Sequence, residues 1–513
     1  MKMVKSLLLG SAAGLVALTG AQAADLPVKA KPVEYVRICS LYGAGFYYIP
    51  GTDTCIRIGG HIRAEVHINS RGTNAQQWAV GTGFATRTRD RDIFNTRSRV
   101  FLNVDTRTQT AYGTLRTFSV VRAEQSTSPG SGANAANIIA IDSGIIQWGG
   151  FTIGRAGTSY FDSPWAYAYK WGTNGWLGNP DTAGGRFVAA YTHQFGNGWS
   201  GTLSLEDGKE RKRGNYNGAN ALSQTGTATL GTETRGGNTW PEIVGQIRLD
   251  QAWGGFHIAG MIVNNHVAYN CGSTASATCT ELSGAPSDKI GGGVAAGFKF
   301  NLPTGVRDAL YFAGSYSVGA TTNTFANIGQ GNTFGLYGGG VSFTGGYVWD
   351  SVYSSTAGTG AGTAYGPTGQ QLTTTYGGSL AFEHGWNNEW RTSIFGGAEK
   401  IDYNATANAI LCSKFAAGSA TGTLTAGVGG ANVSNTGACN FDYRVYGVGS
   451  RTYWTPVRDL TIGVEVMWTN HSVGHGSGVV YNQPTASGFK PAGAYVIKDQ
   501  DVISGMFSVR RFF

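Results

Sequence analysis

Three segments near the start of the chain carry arginines separated by even numbers of residues. Acidic residues occur at even spacings from these arginines on the same segments. The arginines are Arg57, Arg63, Arg97, Arg99, Arg116 and Arg122, and the acids include Glu65 and Glu124. Residues an even number apart on a β-strand point to the same side. Like charges cluster where water and counter-charge tolerate them. We predict a wetted, charge-lined wall whose chemistry is electrostatic attraction of ions, and a generic polar lining is the alternative for any single arginine.

The segment 156–185 supplies candidate counter-charges for this wall, Asp162 and Asp181. Aromatic residues surround them: Tyr160, Phe161, Trp165, Tyr167, Tyr169, Trp171 and Trp176. An aromatic-rich loop favours packing on a surface over exposure, although an outward surface loop is the alternative. Folded inward, the two acids would face Arg97, Arg99, Arg116 and Arg122 across a narrow passage and set up a transverse field.

Metal, cofactor and catalytic chemistry have little support in the sequence. His61 and His67 share a strand face with Glu65, but six residues of strand hold the histidines roughly 20 Å apart, too far to bind one metal. The remaining histidines at 193, 257, 266 and 384 show no recognisable catalytic-triad pattern. We therefore predict no metal, no cofactor and no enzymatic activity.

The six cysteines form three sequence-local pairs without a C-x-x-C motif. An even count in an exported chain indicates disulfides, because the periplasm oxidises thiols and zinc sites need closer clustering. Adjacent pairing closes short loops and avoids geometry that crosses a barrel. The predicted disulfides are Cys39–Cys55, Cys271–Cys279 and Cys412–Cys439.

Strand patterning and turns predict the architecture. The first strand places Ile62 and Val66 on one face and Arg63, Glu65 and His67 on the other. Short turns are predicted at 107–110, 149–150, 196–198, 254–255, 303–308, 387–388 and 456–459. Long loops are predicted at 70–91, 126–136, 156–185, 208–241, 270–288, 322–368, 405–440 and 473–499. This count gives sixteen strands with both termini on the short-turn side, and it assigns the strand-like segment 336–349 to an extended sixth loop.

Both ends of the chain indicate export to a membrane. Lys2 and Lys5 precede an apolar run that ends at a small-residue cleavage pattern, so residues 1–23 are predicted to be a signal peptide. The C-terminus alternates up to an aromatic residue, Phe513, as in a strand that pairs with the first and closes a barrel. No later segment has the apolar length of a membrane helix. The modest excess of 38 basic over 30 acidic residues argues against a nucleic-acid partner.

Several motifs resemble the general porins of alphaproteobacteria, of the rhizobial and Brucella type. They are 42–55, 149–155, 382–384, 390–397 with 400–403, and 449–459. The resemblance covers nearly all of the mature chain. It implies a trimeric outer-membrane channel of sixteen strands whose third extracellular loop folds inward, and a C-terminal Phe513 that the barrel-assembly machinery reads.

Together these observations predict an all-β, 16-stranded antiparallel transmembrane β-barrel with long extracellular loops and the third loop folded into the lumen. Residues 24–54 form an N-terminal periplasmic segment and 55–513 the barrel. The expected function is passive diffusion of small hydrophilic solutes and ions, with a mild anion preference. A solute-specific oligosaccharide porin and a barrel enzyme are the alternatives. Outer-membrane lipids and lipopolysaccharide are the expected surroundings, and Lys209, Arg211, Lys212 and Arg213 are candidates to bind lipopolysaccharide phosphates.

Overall fold

A computed structural model gives the fold of the chain. The structure describes residues 37–69, 93–127, 136–166, 168–171, 185–209, 211–218, 235–270, 281–324, 333–338, 342–355, 368–417, 433–434, 439–476, 479–483 and 493–513. These residues fall into two units, Met1–Ile56 and Arg57–Phe513. The predicted signal peptide lies outside the described residues and stays a prediction.

The described part of the first unit is a small disulfide-linked fold. It contains a 3-10 helix, Ser40–Tyr42, and a short strand, Tyr47–Tyr48, which pairs antiparallel with Cys55 and Ile56. Cys39 and Cys55 form a disulfide with a Cα–Cα distance of 6.0 Å. Cys39, Phe46 and Cys55 are buried together. The first predicted disulfide is therefore present.

In the second unit, the described residues form a closed antiparallel barrel of sixteen strands. The strands are β1 (Cys55–Ile68), β2 (Phe94–Thr110), β3 (Gly113–Ser126), β4 (Ala136–Trp148), β5 (Phe151–Ala156), β6 (Arg186–Gly196), β7 (Trp199–Glu206), β8 (Glu242–Gln251), β9 (Gly254–Asn265), β10 (Lys289–Leu302), β11 (Asp308–Val318), β12 (Thr374–Gly385), β13 (Trp390–Asp402), β14 (Tyr443–Val457), β15 (Leu460–Val473) and β16 (Gln500–Phe512). Each strand pairs with its sequence neighbours. The last strand closes on the first, with Arg510 opposite Arg63. The predicted strand count and closure are confirmed.

Outward faces of the strands are apolar and inward faces are polar. On β2, Val100 and Leu102 are about two-fifths exposed, whereas Arg97 and Asp105 are almost completely buried. In a barrel this pattern puts the apolar side toward lipid and the charged side toward the lumen. Aromatic residues beside the short turns, such as Trp148 and Trp390, are exposed on the outside, as expected of a belt at the membrane interface.

Two predicted turns are misplaced along the chain. Residues 107–110 belong to β2, because the hairpin pairs Thr110 with Gly113 and turns at 111–112. Likewise Gly254 pairs with Gln251, so the turn after β8 lies at 252–253. Turn-forming residue types therefore identify the right hairpins but misplace two strand ends. The predicted end of β2 is too early, and the predicted start of β9 is too late. One consequence is that Arg107 lies on a strand.

The described parts of the long loops contain two small sheets and one α-helix in addition to the barrel strands. One sheet contains Thr333–Gly338, Ser342–Tyr347, Gly493–Ile497, Val480–Gln483 and Val433–Ser434. The other contains Gln371–Leu372, Ser351–Tyr353 and Asn215–Asn217. Helix α1 spans Ala405–Ala417, and 3-10 helices span Glu281–Ser283 and Thr321–Asn323. The segment 336–349 is thus part of the sixth loop, as predicted. No helix among the described residues is long and apolar enough to cross a membrane.

These loop elements share a hydrophobic core, which we call the loop cap. Its buried residues include Tyr216, Trp349, Ile410 and Leu411, each essentially inaccessible to solvent. The Cys412–Cys439 disulfide, with a Cα–Cα distance of 5.9 Å, ties α1 to the segment that precedes β14. The predicted Cys412–Cys439 disulfide is therefore also present, whereas Cys271 and Cys279 lie outside the described residues.

Candidate functional site

Charged side chains on the inner face of β1–β4 and β16 form two groups. The group nearer the long loops, the loop-side cluster, contains Arg63, Glu65, Arg97, Arg99, Arg122, Glu124 and Arg510. The pairing of β2 with β3 sets Arg99 directly opposite Glu124. The group nearer the short turns, the turn-side cluster, contains Arg57, Asp105, Arg107 and Arg116. Asp105 is six residues beyond Arg99 on β2, so the groups are roughly 20 Å apart along the strand.

Glu65 holds three arginines of the loop-side cluster. Its Oε2 atom lies 2.5 Å from Arg97 Nη2, and its Oε1 atom lies 3.5 Å from Arg63 Nε and 3.3 Å from Arg510 Nη2. The side chains of Glu65 and Arg97 are fully buried. A buried charge is tolerated only when it is paired, so these contacts account for the close packing of like charges.

Glu124 is the second acid of this cluster. It accepts a short hydrogen bond from Arg99 Nε and another from Arg122 Nη1 at 2.8 Å. Arg122 Nε also donates to Asp142 Oδ1 at 3.1 Å, which extends the cluster onto β4. Arg97, Arg99 and Arg122 therefore each lie beside an acid on a neighbouring strand.

The turn-side cluster is built around Asp105. Arg107 donates to both carboxylate oxygens at 3.1 and 2.9 Å, and Arg116 does so at 3.0 Å twice. Arg57 Nη2 lies 3.9 Å from the same carboxylate. Arg116 is thus separated from the loop-side arginines with which the sequence grouped it. The strand pattern misses Arg107 because the turn-forming residues around it predict a turn at 107–110, although its two-residue spacing from Asp105 continues the inward face.

The third loop, between β5 and β6, contacts inward-facing side chains of several strands. Ser159 Oγ donates to Glu206 on β7 at 2.7 Å, and the Trp171 amide donates to Glu465 on β15 at 2.6 Å. Between them, the Tyr169 carbonyl accepts from Ser393 Oγ on β13 at 2.5 Å. The described part of the loop therefore lies inside the barrel, along the wall from β7 to β15.

Asp162 has a different partner from the one we predicted. Its side chain is nearly inaccessible, and its carboxylate pairs with Arg211 of the fourth loop, with Nη2 to Oδ2 at 3.1 Å. A buried, paired carboxylate is an anchor for the loop, so the prediction of an open counter-charge facing the arginine wall is wrong for this residue. Asp181 and Trp176 lie outside the described residues.

The basic segment of the fourth loop also differs from expectation. Arg211 is only 7% exposed, and Lys212 Nζ donates to the Asn264 carbonyl at 2.9 Å. These two side chains are turned toward protein partners, so the expectation that they bind lipopolysaccharide phosphates is not met by this arrangement. The sequence gives no periodic signal for such loop-to-loop contacts.

Among the described residues, no group of three His, Cys, Asp or Glu side chains is arranged to hold a metal ion. His61 instead stacks on Phe101, with ring centroids 4.3 Å apart. His67 is buried beside Glu65, with Nε2 at 3.7 Å from Oε2. These two histidines thus contact other side chains of the barrel wall.

The family described as Porin subfamily matches residues 25–506. This chain belongs to that family. Porin Omp2b of Brucella suis biovar 1 (strain 1330) is 35% identical over 278 residues, which are 52% of this chain and 66% of that protein. Porin Omp2b of Brucella abortus (strain 2308) is 34% identical over 278 residues, which are again 52% of this chain and 66% of that protein. The chain therefore spans just under two thirds of the length of these relatives.

The barrel is also similar to a solved structure, the outer membrane channel DcaP of Acinetobacter baumannii. The TM-score is 0.51 at 12% identity, over 91% of this chain and 99% of that chain. At this identity the likeness concerns the fold alone. Family and fold together confirm the predicted alphaproteobacterial porin resemblance and the all-β barrel. They assign the protein to the bacterial outer membrane.

Proposed function

We propose that this protein forms a water-filled channel for passive diffusion of small hydrophilic solutes and ions across the outer membrane. The observation that carries the proposal is the closed sixteen-stranded barrel with a charged inner wall and an apolar outer belt. A barrel of this size is too wide for side chains to fill its interior. Its membership of a porin family supports the same reading, and it supports a channel in preference to an enzyme.

We propose further that the channel mildly prefers anions. In the loop-side cluster, five arginines surround Glu65 and Glu124, and Asp142 contacts Arg122 at the edge. In the turn-side cluster, three arginines share one carboxylate. Screening over about 8 Å at physiological salt means that only charges beside the passage influence an ion. Both clusters are basic, and together they line the wall formed by β1–β4 and β16.

Other parts of the proposal rest on the family. We expect a homotrimer, assembled in contact with outer-membrane lipids and inserted by the barrel-assembly machinery that recognises the C-terminal strand. The predicted organisation is a signal peptide at 1–23, a periplasmic segment at 24–54 and a barrel at 55–513.

Planar-bilayer recording of the purified protein tests the function. We expect stepwise KCl conductance and a zero-current potential in a salt gradient whose sign shows anion preference. Oligosaccharides should not block the current in a saturable way. Absence of conductance from correctly folded protein would overturn the channel, cation preference would overturn the selectivity, and saturable oligosaccharide block would favour the solute-specific alternative.

A further inference from the structure

The turn-side cluster concentrates positive charge on a single acid. Arg107 and Arg116 are directly opposite each other on β2 and β3. Like charges in that position repel and destabilise a sheet. Asp105 bridges them by binding both guanidinium groups in a bidentate manner, and Arg57 approaches the same carboxylate. Three guanidinium groups and one carboxylate leave the four side chains with a formal charge of +2.

The three arginines are accessible, unlike the carboxylate that holds them. The side chains of Arg57, Arg107 and Arg116 are 48%, 27% and 29% exposed, whereas that of Asp105 is 1% exposed. The arginines of the loop-side cluster are less exposed, from 0% for Arg97 and 7% for Arg99 to 21% for Arg122. The turn-side arginines can therefore meet a solute while Asp105 keeps them in place.

The opposite wall shows that such an excess is not a general property of this depth. Arg248 lies three residues before the end of β8, as Arg107 lies three residues before the end of β2. Arg248 pairs one to one with Asp250, with Nε to Oδ2 at 2.6 Å. The arginine and aspartate are two residues apart in both places. One pair is neutral, whereas the other has two additional arginines.

We propose that the turn-side cluster is a binding site for small dianionic oxyanions, of the class of inorganic phosphate and phosphate monoesters. The Nε and Nη2 atoms of Arg107 and Arg116 donate to Asp105, and Arg116 Nη1 donates to Gln147 Oε1 at 2.8 Å. The remaining guanidinium N–H groups, together with Arg57, would bind phosphate oxygens through charge-assisted hydrogen bonds. The residual charge of +2 matches a dianion. The site lies near the short turns, which face the periplasm in outer-membrane barrels, and is separate from the loop-side cluster. This inference rests on the proposed channel function, because it assigns a solute class to that lumen.

Single-channel recording with inorganic phosphate as the probe tests the site. In dilute KCl at mildly alkaline pH, where phosphate is mostly a dianion, phosphate added from the turn side should lower the KCl current in a saturable way. An Arg107→Gln/Arg116→Gln double variant should need roughly tenfold more phosphate or higher for the same effect, as expected from the loss of charge-assisted hydrogen bonds. The Arg248→Gln variant is the matched control and should respond like wild type.

The outcomes separate the site from the channel function. Wild-type channels that carry KCl current without a phosphate effect overturn the site and leave the channel intact. An equal loss of the phosphate effect in Arg248→Gln also overturns the site, because binding would then depend on overall lumen charge. If wild type carries no current, the channel proposal fails, and calorimetric titration of phosphate into the detergent-solubilised barrel decides on the site. An Arg107→Lys/Arg116→Lys variant guards against misfolding, and its phosphate response should fall between those of wild type and the glutamine variant.

Discussion

Asp162 and Arg211 join the third and fourth loops through a bidentate ion pair, with Nη1 to Oδ1 at 3.2 Å and Nη2 to Oδ2 at 3.1 Å. Both side chains are buried. Asp162 also accepts a hydrogen bond from the Ser159 amide at 3.1 Å, which fixes the first turn of the third loop. The pair therefore holds the loop that lies inside the barrel.

The first prediction follows from this pair. Asp162→Asn leaves a buried arginine without this carboxylate, at a cost of roughly 3 kcal/mol. We expect a looser third loop, seen as increased single-channel current noise and faster proteolysis within 157–171. The double variant Asp162→Asn/Arg211→Gln removes both charges and should be quieter than the single variant. A shift of the zero-current potential toward anions without added noise would mean that Asp162 acts as an open counter-charge instead.

The period-two pattern of the sequence predicted the barrel, and it separated the charged from the apolar face of its first strands. Alternation is a local property of each strand, so Arg97 and Arg99 could be placed on one face of β2 from their spacing, and Glu124 on the same face of β3 as Arg122. Strand ends were less predictable, because Arg107 stands among turn-forming residues, yet the backbone stays in the ladder to Thr110. The Asp162–Arg211 pair was not predictable, since two loops meet there without any repeating pattern.

The loop cap could not be predicted from the sequence either. Its strands are short, and Gly-, Thr- and Ala-rich segments without clear periodicity surround them. Tyr216 and Trp349 nevertheless pack together, with ring centroids 5.6 Å apart, although they come from the fourth and sixth loops. Such a core depends on contacts between distant segments, and hydrophobic periodicity cannot report contacts of that kind.

A second prediction concerns selectivity. In Arg97→Ser/Arg99→Ser, Glu65 and Glu124 keep their charges but lose two of their arginines, so the loop-side wall becomes more negative. The zero-current potential in a KCl gradient should shift toward cations. The control for a general charge effect is Arg391→Ser, which removes an arginine of β13 that lies beside Glu383 of β12. An unchanged potential in the double variant would place the filter elsewhere, in the distal loops.

The third prediction concerns the Cys412–Cys439 disulfide of the loop cap. Cys412→Ala/Cys439→Ala removes a cross-link over 27 residues, which is worth roughly 3 kcal/mol. We expect faster protease cleavage near α1 while the barrel keeps its heat-modifiable mobility in gel electrophoresis. Cys39→Ala/Cys55→Ala, in the N-terminal unit, should leave that cleavage unchanged. Non-reducing peptide mapping of wild type tests the remaining pair, Cys271–Cys279, and free thiols there would refute it.

A fourth prediction concerns pH. Burial lowers the pKa of His475 to about 4, and its Nδ1 atom accepts a hydrogen bond from the Asn440 amide at 3.1 Å. The pKa of His475 in the folded protein lies below the usual 6.5, so the neutral imidazole stabilises the loop cap fully above pH 6.5. This stabilisation is lost as the pH falls from 6.5 toward 4. Cleavage of the loops should therefore accelerate in that range.

His475→Gln is the control for this pH effect, since its amide oxygen can accept the same hydrogen bond without titrating. Burial raises the pKa of Asp350, another cap residue, so protonation of that carboxyl favours the folded state at low pH and opposes the histidine. The difference between wild type and His475→Gln isolates the histidine. Equal acid sensitivity of the two proteins would show that His475 does not cause it.

The last prediction concerns Phe513 and closure of the barrel. The Phe513 amide donates to the Gly60 carbonyl at 3.0 Å, and the Gly60 amide donates back to Phe513 at 3.0 Å. The side chain is 60% exposed, so it contributes little packing within one barrel. Deleting Phe513 removes these backbone hydrogen bonds, worth about 1 kcal/mol each, together with the terminal aromatic ring.

Phe513→Ala removes the ring alone. If assembly depends on the aromatic signal, both variants should give much less heat-modifiable barrel in cells. If assembly depends on the two backbone hydrogen bonds between Gly60 and Phe513, only the deletion should be impaired. Refolding in detergent separates the two causes. The two variants should refold equally well there if these hydrogen bonds contribute little. Normal barrel levels in the deletion would refute both mechanisms, because neither the ring nor the two hydrogen bonds would then be needed for insertion.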